Sequence, residues 1–158
     1  MRAAAAARII DTDMTTDMTT DDASPIAARL SHAATILVVS DVERALGFYR
    51  DLLGFEQLEY PHIPLLRCGN LYLHLVETSP PTVDKPEVTL APAQVAGQTP
   101  VVMVFEVDDA VEVHRELASR GVPFLTPPQR PPWGGLRCFA RDPDGYLVEI
   151  EQPSDPTV

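Results

Sequence analysis

Two polar side chains interrupt apolar runs that are typical of strands. His74 lies in LYLHLVE and Glu149 lies in YLVEIEQ. An imidazole and a carboxylate inside strands are costly to bury without a partner. With no metal involved, Glu149 can act as a general base and His74 as the acid or as the group that orients it. They can also simply hydrogen-bond each other across a cavity. We favour a pocket role for both, and whether the protein is an enzyme stays open.

Further candidates lie on the same predicted strand faces. Period-two alternation places Tyr72 on the face of His74, and Glu151 on the face of Glu149. Glu106 falls on the inward face of another apolar run. Carboxylates around a cavity attract cationic ligands, although a solvated strand end explains Glu106 and Glu151 equally well.

The only tryptophan, Trp133, lies in PPWGGLR directly before a predicted strand. Its ring is suited to stacking on a planar ligand, and packing against the neighbouring prolines is an equally good interpretation. Arg137 can hold a ligand carboxylate or pair with a strand neighbour, and we favour the second. Cys68 and Cys138 have no acid or base beside them in the sequence, so we interpret both as small buried thiols.

The elements that position these residues occur twice. Asp41 and Asp108 lie 67 residues apart, and each is followed thirteen residues later by a glycine, Gly54 or Gly121. In each copy an apolar run leads into a helix, and the glycine stands where a left-handed residue ends that helix. Capping boxes are predicted at Ser40 with Glu43 and at Asp109 with Glu112, and Val111, His114 and Leu117 should bury the second helix.

After each helix the chain returns as strands, predicted at residues 55–60, 63–68, 71–77, 122–125, 136–141 and 146–151. The fold class is therefore α+β, with two tandem βαβββ modules. The predicted organisation is a disordered tail at 1–30, a domain at 31–152 with modules at about 32–78 and 100–152, a proline-rich linker at 79–99, and a C-terminal tail at 153–158.

Composition excludes several partners. The formal net charge of −11 argues against nucleic acid and against anionic membranes. Two cysteines are too few for a disulfide framework, which favours reduced thiols and a cytoplasmic protein. The apolar stretches are too short for a transmembrane helix. Small molecules, cationic ones included, remain the expected partners.

Together, ILVVSDVERALGFYRDLLGF, NLYLHLVE, FEVDD and RDPDGYLVEIEQ resemble the vicinal oxygen chelate superfamily over residues 32–152. That superfamily includes glyoxalase, extradiol dioxygenases, methylmalonyl-CoA epimerase and bleomycin-resistance proteins. The resemblance implies that the two modules form a half-barrel cup around a shared pocket. It also implies that drug-binding members carry a stretch like the one around Trp133 and Arg137.

In metal-dependent members of that superfamily, the first and last strands of both modules supply the ligands. The resemblance places two of them on His74 and Glu149, which suit Zn, Ni, Mn or Fe(II). The first-strand positions fall on Ala34 and Val102, which cannot bind a metal. His32, two residues before Ala34, is a possible substitute. We therefore expect no cofactor, with a divalent metal as the alternative.

Resemblance and residues together predict a small-molecule-binding protein similar to bleomycin-resistance proteins. It would sequester a drug or metabolite without a complete metal site, as a homodimer. The alternative is a divalent-metal-dependent lyase, isomerase, epimerase or ring-cleaving dioxygenase that uses His74 and Glu149.

Overall fold

The computed structural model describes residues 26–92 and 97–154. The chain divides into two compact units, residues 1–32 and 33–158. Within the first unit the described part contains one 3-10 turn, Ile26–Arg29. Most of the tail predicted at 1–30, and the end of the tail predicted at 153–158, therefore lie outside the described residues. All elements discussed below belong to the second unit.

Each module consists of one strand, a helical segment and the strands that follow it. The first module contains β1 (Thr35–Val39), α1 (Val42–Leu46), a π-helical segment (Gly47–Leu52), β2 (Glu56–Leu58), β3 (Leu65–Cys68) and β4 (Leu71–Glu77). The second contains β5 (Val102–Glu106), α2 (Ala110–Ser119), β6 (Leu136–Arg141) and β7 (Leu147–Gln152). The predicted α+β class is confirmed.

The strands form two separate sheets. Sheet 1 has the order β1-β4-β3-β2 and sheet 2 has the order β5-β7-β6. In both, the strand before the helix pairs in parallel with the last strand of the module. The strand predicted at 122–125 is wrong, because only an isolated bridge joins Phe124 to Ala140. Pro123 lacks the N–H group that a continuous ladder needs.

The helix caps follow the predicted chemistry with one shift of position. Asp109 accepts hydrogen bonds from the backbone N–H groups of Val111 and Glu112, as predicted. The cap of α1 is Asp41 and not Ser40, because the Asp41 carboxylate accepts the Arg44 N–H at 2.9 Å. Ser40 Oγ instead accepts a hydrogen bond from the Arg44 guanidinium.

The buried face of α2 differs slightly from the predicted one. Ala110 and Leu117 are buried, whereas Val111 is 52% exposed. The true apolar stripe therefore begins one residue earlier than predicted. His114 is half-buried and its ring lies 4.4 Å from that of Phe124, in agreement with a packing role.

The core lies between the helices and one face of each sheet. Alternate residues of the central strands are buried there, including Leu37, Leu73, Leu75, Val148 and Ile150. The other face of each sheet is turned away from this core. Cys138 is buried as predicted, but Cys68 is exposed, because it ends β3 beside the Gly69 turn.

A buried polar contact joins the two modules. The Tyr49 hydroxyl donates to the Asp142 carboxylate at 2.8 Å, and that carboxylate also accepts the N–H groups of Asp144 and Tyr146. The Tyr146 hydroxyl donates to the Val38 carbonyl. Burial raises the pKa of Asp142 above its ordinary value, and burial together with the Asp142 charge raises the pKa of Tyr49.

The segment predicted as a linker has local structure of its own. Ser79 pairs with Leu90, and the Lys85 ammonium donates to the Pro80 carbonyl at 2.6 Å. Residues 93–96 of this segment lie outside the described residues. None of the described helices combines the length and the apolar character needed to cross a bilayer.

Candidate functional site

The strand register of sheet 2 places the polar candidates of the second module on one face. Three rows run across β5, β7 and β6 on this face: Glu106, Glu151 and Arg137; Val104, Glu149 and Phe139; Val102, Leu147 and Arg141. We call these nine residues the open face of sheet 2. The opposite face carries the core, so the polar and apolar sides alternate as the sequence predicts.

Glu149 is the most buried member of the open face, at 8% exposure. Its carboxylate is paired with the Arg137 guanidinium at 3.2 Å. Leaving one of these charges buried without the other is strongly unfavourable, so the pair fixes both side chains. The prediction that Arg137 pairs with a strand neighbour is confirmed.

The Arg137 guanidinium also lies close to two aromatic rings. Its guanidinium carbon is 4.7 Å from the centre of the Trp133 ring and 5.3 Å from the centre of the Phe139 ring. Both distances are within the range of cation–π attraction. We call Trp133, Phe139 and Glu149 the aromatic–carboxylate box, and Arg137 is its occupant.

The loop before β6 holds Trp133 in place over Arg137. Gln129 and Arg137 exchange two backbone hydrogen bonds, of 2.8 and 2.9 Å. Gly135 has a φ of 69°, and a Cβ there would lie 2.5 Å from the Gln152 carbonyl oxygen. Only glycine fits this approach to the end of β7. Trp133 is nevertheless 65% exposed, so one side of its ring remains accessible.

His74 occupies the corresponding face of sheet 1. Its strand neighbours are Ile36 on β1 and Leu65 on β3, and its ring lies 4.9 Å from the ring of Tyr60. Nδ1 of His74 is buried and has no hydrogen-bond partner among the described residues. Tyr72, two positions before His74 on the same face, lies opposite Arg67.

Nothing in the described part of the chain joins His74 to Glu149. His74 is on sheet 1 and contacts Tyr60, while Glu149 is on sheet 2 and pairs with Arg137. The hydrogen bond considered between them is absent from the described contacts. Their meeting in one pocket stays a prediction.

The first strands place no metal ligand at the predicted positions or directly beside His74 and Glu149. β1 begins at Thr35, so Ala34 and His32 both precede the strand, and the prediction that the first-strand ligand position falls on Ala34 is wrong. Val102 is 42% exposed and lies beside Leu147. The direct neighbours of His74 and Glu149 are Ile36 and Val104, which are also apolar.

The described residues contain no group of three or more His, Cys, Asp or Glu side chains that could hold a metal ion. Proteins that bind a catalytic metal ion usually supply three ligands to it. The described residues of one chain therefore do not fit a divalent metal centre at His74 and Glu149.

Neither cysteine is suited to nucleophilic chemistry. Burial raises the pKa of the Cys138 thiol to about 11, and the Glu149 charge adds to this. Although Cys68 is exposed, partial desolvation of its thiol raises its pKa above the ordinary value. The reactive thiolate is therefore disfavoured at both positions.

A cleft of about 870 Å³ lies along β5 between the two modules, and neither His74 nor Glu149 is among the residues that line it. All seven residues from Val101 to Val107 line it, so it follows the edge of the strand and not one face. Glu106 and Val102 are the only predicted site residues among its lining, and the rest is mainly apolar: Leu52, Leu53, Phe55, Leu71, Leu73, Val113, Leu117 and Ile150.

Phe139 is the functional candidate that the sequence reasoning missed. Alternation from Arg137 places it on the same strand face, so this signal was present. Glu106 and Glu151 are neighbours at the end of β5 and β7, and Glu106 is exposed. Their role as ligand-attracting carboxylates stays a prediction.

Comparison with known proteins gives a consistent result. The model of the glyoxalase/bleomycin resistance protein/dioxygenase superfamily matches residues 29–150. A bleomycin resistance protein from Geobacillus stearothermophilus is 28% identical over 123 residues, which cover 73% of this chain and 92% of that protein.

Solved structures show the same fold. A lactoylglutathione lyase from Agrobacterium tumefaciens is 26% identical, with a TM-score of 0.59, over 78% of this chain and 94% of that one. A superfamily member from Nocardioides has a TM-score of 0.62 at 20% identity, over 82% of this chain and 89% of that one.

Proposed function

The chain belongs to the glyoxalase/bleomycin resistance protein/dioxygenase superfamily, and from this premise we propose that it binds a small molecule on the open face of sheet 2. It sequesters a drug or metabolite and does not transform it. The observation that carries this proposal is the aromatic–carboxylate box, in which a buried carboxylate and two aromatic rings surround one guanidinium group.

The composition of the site favours a cationic, partly aromatic ligand. Trp133 and Phe139 provide ring faces, and Glu149 provides a negative charge that is already desolvated. Desolvated charges interact more strongly than solvated ones. The net charge of −11 attracts cations from a distance. The relative named bleomycin resistance protein supports sequestration as the mode of action.

Calorimetric titration tests the proposal directly. The panel contains bleomycin and other cationic, aromatic antibiotics, and the Trp133→Ala protein is measured in parallel. The matched control is Val83→Ala, because Val83 is fully exposed on the linker segment. We expect saturable binding that is weakened by Trp133→Ala alone, and protection of cells that express the protein. A panel without binding or protection refutes the proposal.

A second copy of the chain is the protein partner that we infer. Within the described part of the chain, β1 and β5 each have a strand neighbour on one side only. Open apolar edges of this kind are normally covered in stable proteins. Ile36 is 54% exposed and Val104 is 49% exposed beside these edges. Pairing of β1 with β5 of a second copy covers both and brings the faces of His74 and Glu149 onto one continuous sheet.

Sedimentation equilibrium tests the homodimer. Val104→Glu places a charge on the proposed interface and should produce monomers, whereas Val83→Glu on the linker segment should not. Dimers that persist in Val104→Glu, or an unmodified protein that is monomeric at high concentration, exclude this arrangement.

The second candidate function is a metal-dependent lyase, isomerase, epimerase or dioxygenase. The buried, unpartnered Nδ1 of His74 is the observation that favours it, since buried polar groups normally have partners. One chain supplies too few ligands, so this candidate requires the homodimer. Elemental analysis of protein purified without chelator should then find a stoichiometric divalent ion that is lost in His74→Ala.

We also expect the protein to act in the cytoplasm. Cys68 and Cys138 are both free thiols in the structure, which suits a reducing compartment. Cell fractionation with an antibody against the chain tests this location.

A further inference from the structure

The occupant of the aromatic–carboxylate box is a side chain of the protein itself. Arg137 lies over the rings of Trp133 and Phe139, within cation–π distance of both, and is paired with Glu149. A planar delocalised cation between aromatic faces, with a carboxylate at its edge, is the arrangement by which proteins recognise guanidinium groups.

We propose that the aromatic–carboxylate box recognises ligands that carry a guanidinium or amidinium group, and that Arg137 is an internal substitute which such a ligand displaces. This deepens the proposed function, because it names the ligand class of the same site. Arg137 thereby sets a threshold for binding, since a ligand must compete with a group already tethered in the box.

The surroundings of Arg137 permit this exchange. Its side chain is 31% exposed, whereas that of Glu149 is 10% exposed. The guanidinium can therefore move out toward solvent while the carboxylate stays in place. Trp133 remains over the vacated position, because the backbone bonds between Gln129 and Arg137 hold the loop independently of the Arg137 side chain.

The alternative is a purely structural role for Arg137. In that case the guanidinium serves only to neutralise Glu149, and any cation of similar size can replace it. A planar guanidinium differs from an ammonium in its ability to stack on rings and to form two parallel hydrogen bonds. Comparison of the two cations therefore separates recognition from simple neutralisation.

The experiment is a chemical rescue in Arg137→Ala. Ethylguanidinium restores the part of the arginine side chain that this substitution removes. Trp133 is the only tryptophan, so its fluorescence reports the box without a label. We expect saturable quenching by ethylguanidinium in Arg137→Ala, with affinity at least about tenfold greater than in the unmodified protein, and much weaker binding of ethylammonium.

Three further variants make the result specific. Arg137→Ala with Glu149→Gln keeps both rings but removes the charge, and should not bind ethylguanidinium. Arg115→Ala removes an exposed arginine of α2 that lies outside the open face and leaves the box occupied, so it should behave as the unmodified protein. Arg137→Met keeps the packing of the arginine stem, so it replaces Arg137→Ala if that variant does not fold, with guanidinium and ammonium ions as the probes in place of their ethyl derivatives.

Equal binding of ethylguanidinium and ethylammonium, or no saturable binding in either Arg137 variant, overturns the proposal. The outcome is distinguishable from that of the proposed function. If ethylguanidinium binds to Arg137→Ala but the unmodified protein binds no drug, sequestration is rejected and guanidinium recognition by the box is retained. If the unmodified protein binds a drug but ethylguanidinium does not bind to Arg137→Ala, sequestration is retained and the displacement of Arg137 is rejected.

Discussion

Removal of the Tyr49 hydroxyl tests the contact that joins the two modules. Tyr49 is fully buried, and its hydroxyl donates to the Asp142 carboxylate, which is 4% exposed. In Tyr49→Phe that carboxylate loses one of three donors and stays buried. Loss of a hydrogen bond to a buried charged group costs about 1–3 kcal/mol. For a chain of this size, about 2 kcal/mol corresponds to a fall of about 4–8 °C in the unfolding midpoint.

The loss of unfolding free energy in Tyr49→Phe should depend on pH. Burial raises the pKa of Asp142, while the Tyr49 hydrogen bond lowers it, so Tyr49→Phe raises that pKa further. A carboxyl group with a raised pKa in the folded state favours folding when it is protonated, and this contribution is lost as the pH rises through the folded pKa. The destabilisation by Tyr49→Phe should therefore be largest near neutral pH and shrink on acidification.

Urea denaturation at about pH 7 and about pH 4.5 measures this dependence. The matched control is Tyr146→Phe, whose hydroxyl donates to a neutral acceptor, the Val38 carbonyl, at 2.9 Å. It should cost about 0.5–1.5 kcal/mol with little change between the two conditions. A cost for Tyr49→Phe that is negligible, or that is constant with pH while the control behaves as expected, refutes the reasoning.

Three other predictions concern local features. Asp109→Ala removes the cap of α2 and should lower the free energy of unfolding by about 0.5–2 kcal/mol, as measured by urea denaturation; an unchanged midpoint excludes this role. Gly135→Ala places a Cβ 2.5 Å from the Gln152 carbonyl oxygen and should shift Trp133 fluorescence toward that of a mobile, fully solvated ring, whereas an unchanged spectrum shows that the loop adapts. Glu149→Gln leaves Arg137 without its anionic partner and should weaken binding of a cationic drug, as measured by calorimetry.

The sequence predicted those parts of the structure that follow from local patterns. Both modules were predicted from the repeat, the caps and the alternation of apolar residues. The cap of α1 moved by one position, because Asp41 and Ser40 are both capping residues and only the backbone geometry decides between them. The strand predicted at 122–125 does not form, because Pro123 limits this segment to one bridge.

The candidate site was less predictable, because it depends on contacts between distant residues. The sequence predicted that Arg137 pairs with a strand neighbour but did not identify Glu149 as that partner. The position of Trp133 over Arg137 depends on the loop path through Gly135. Whether His74 and Glu149 meet in one pocket depends on how the two sheets are arranged, which no local pattern encodes. The cleft along β5 is likewise formed by residues of both modules, which come together only in the folded chain.

A crystal structure of the protein with the tightest-binding cationic drug tests the central proposal most directly. Ligand density stacked on Trp133, with a cationic group against the Glu149 carboxylate, is the result that the proposal predicts. Density confined to the cleft along Val101–Val107, with Arg137 still in the box and no contact to Trp133, contradicts it.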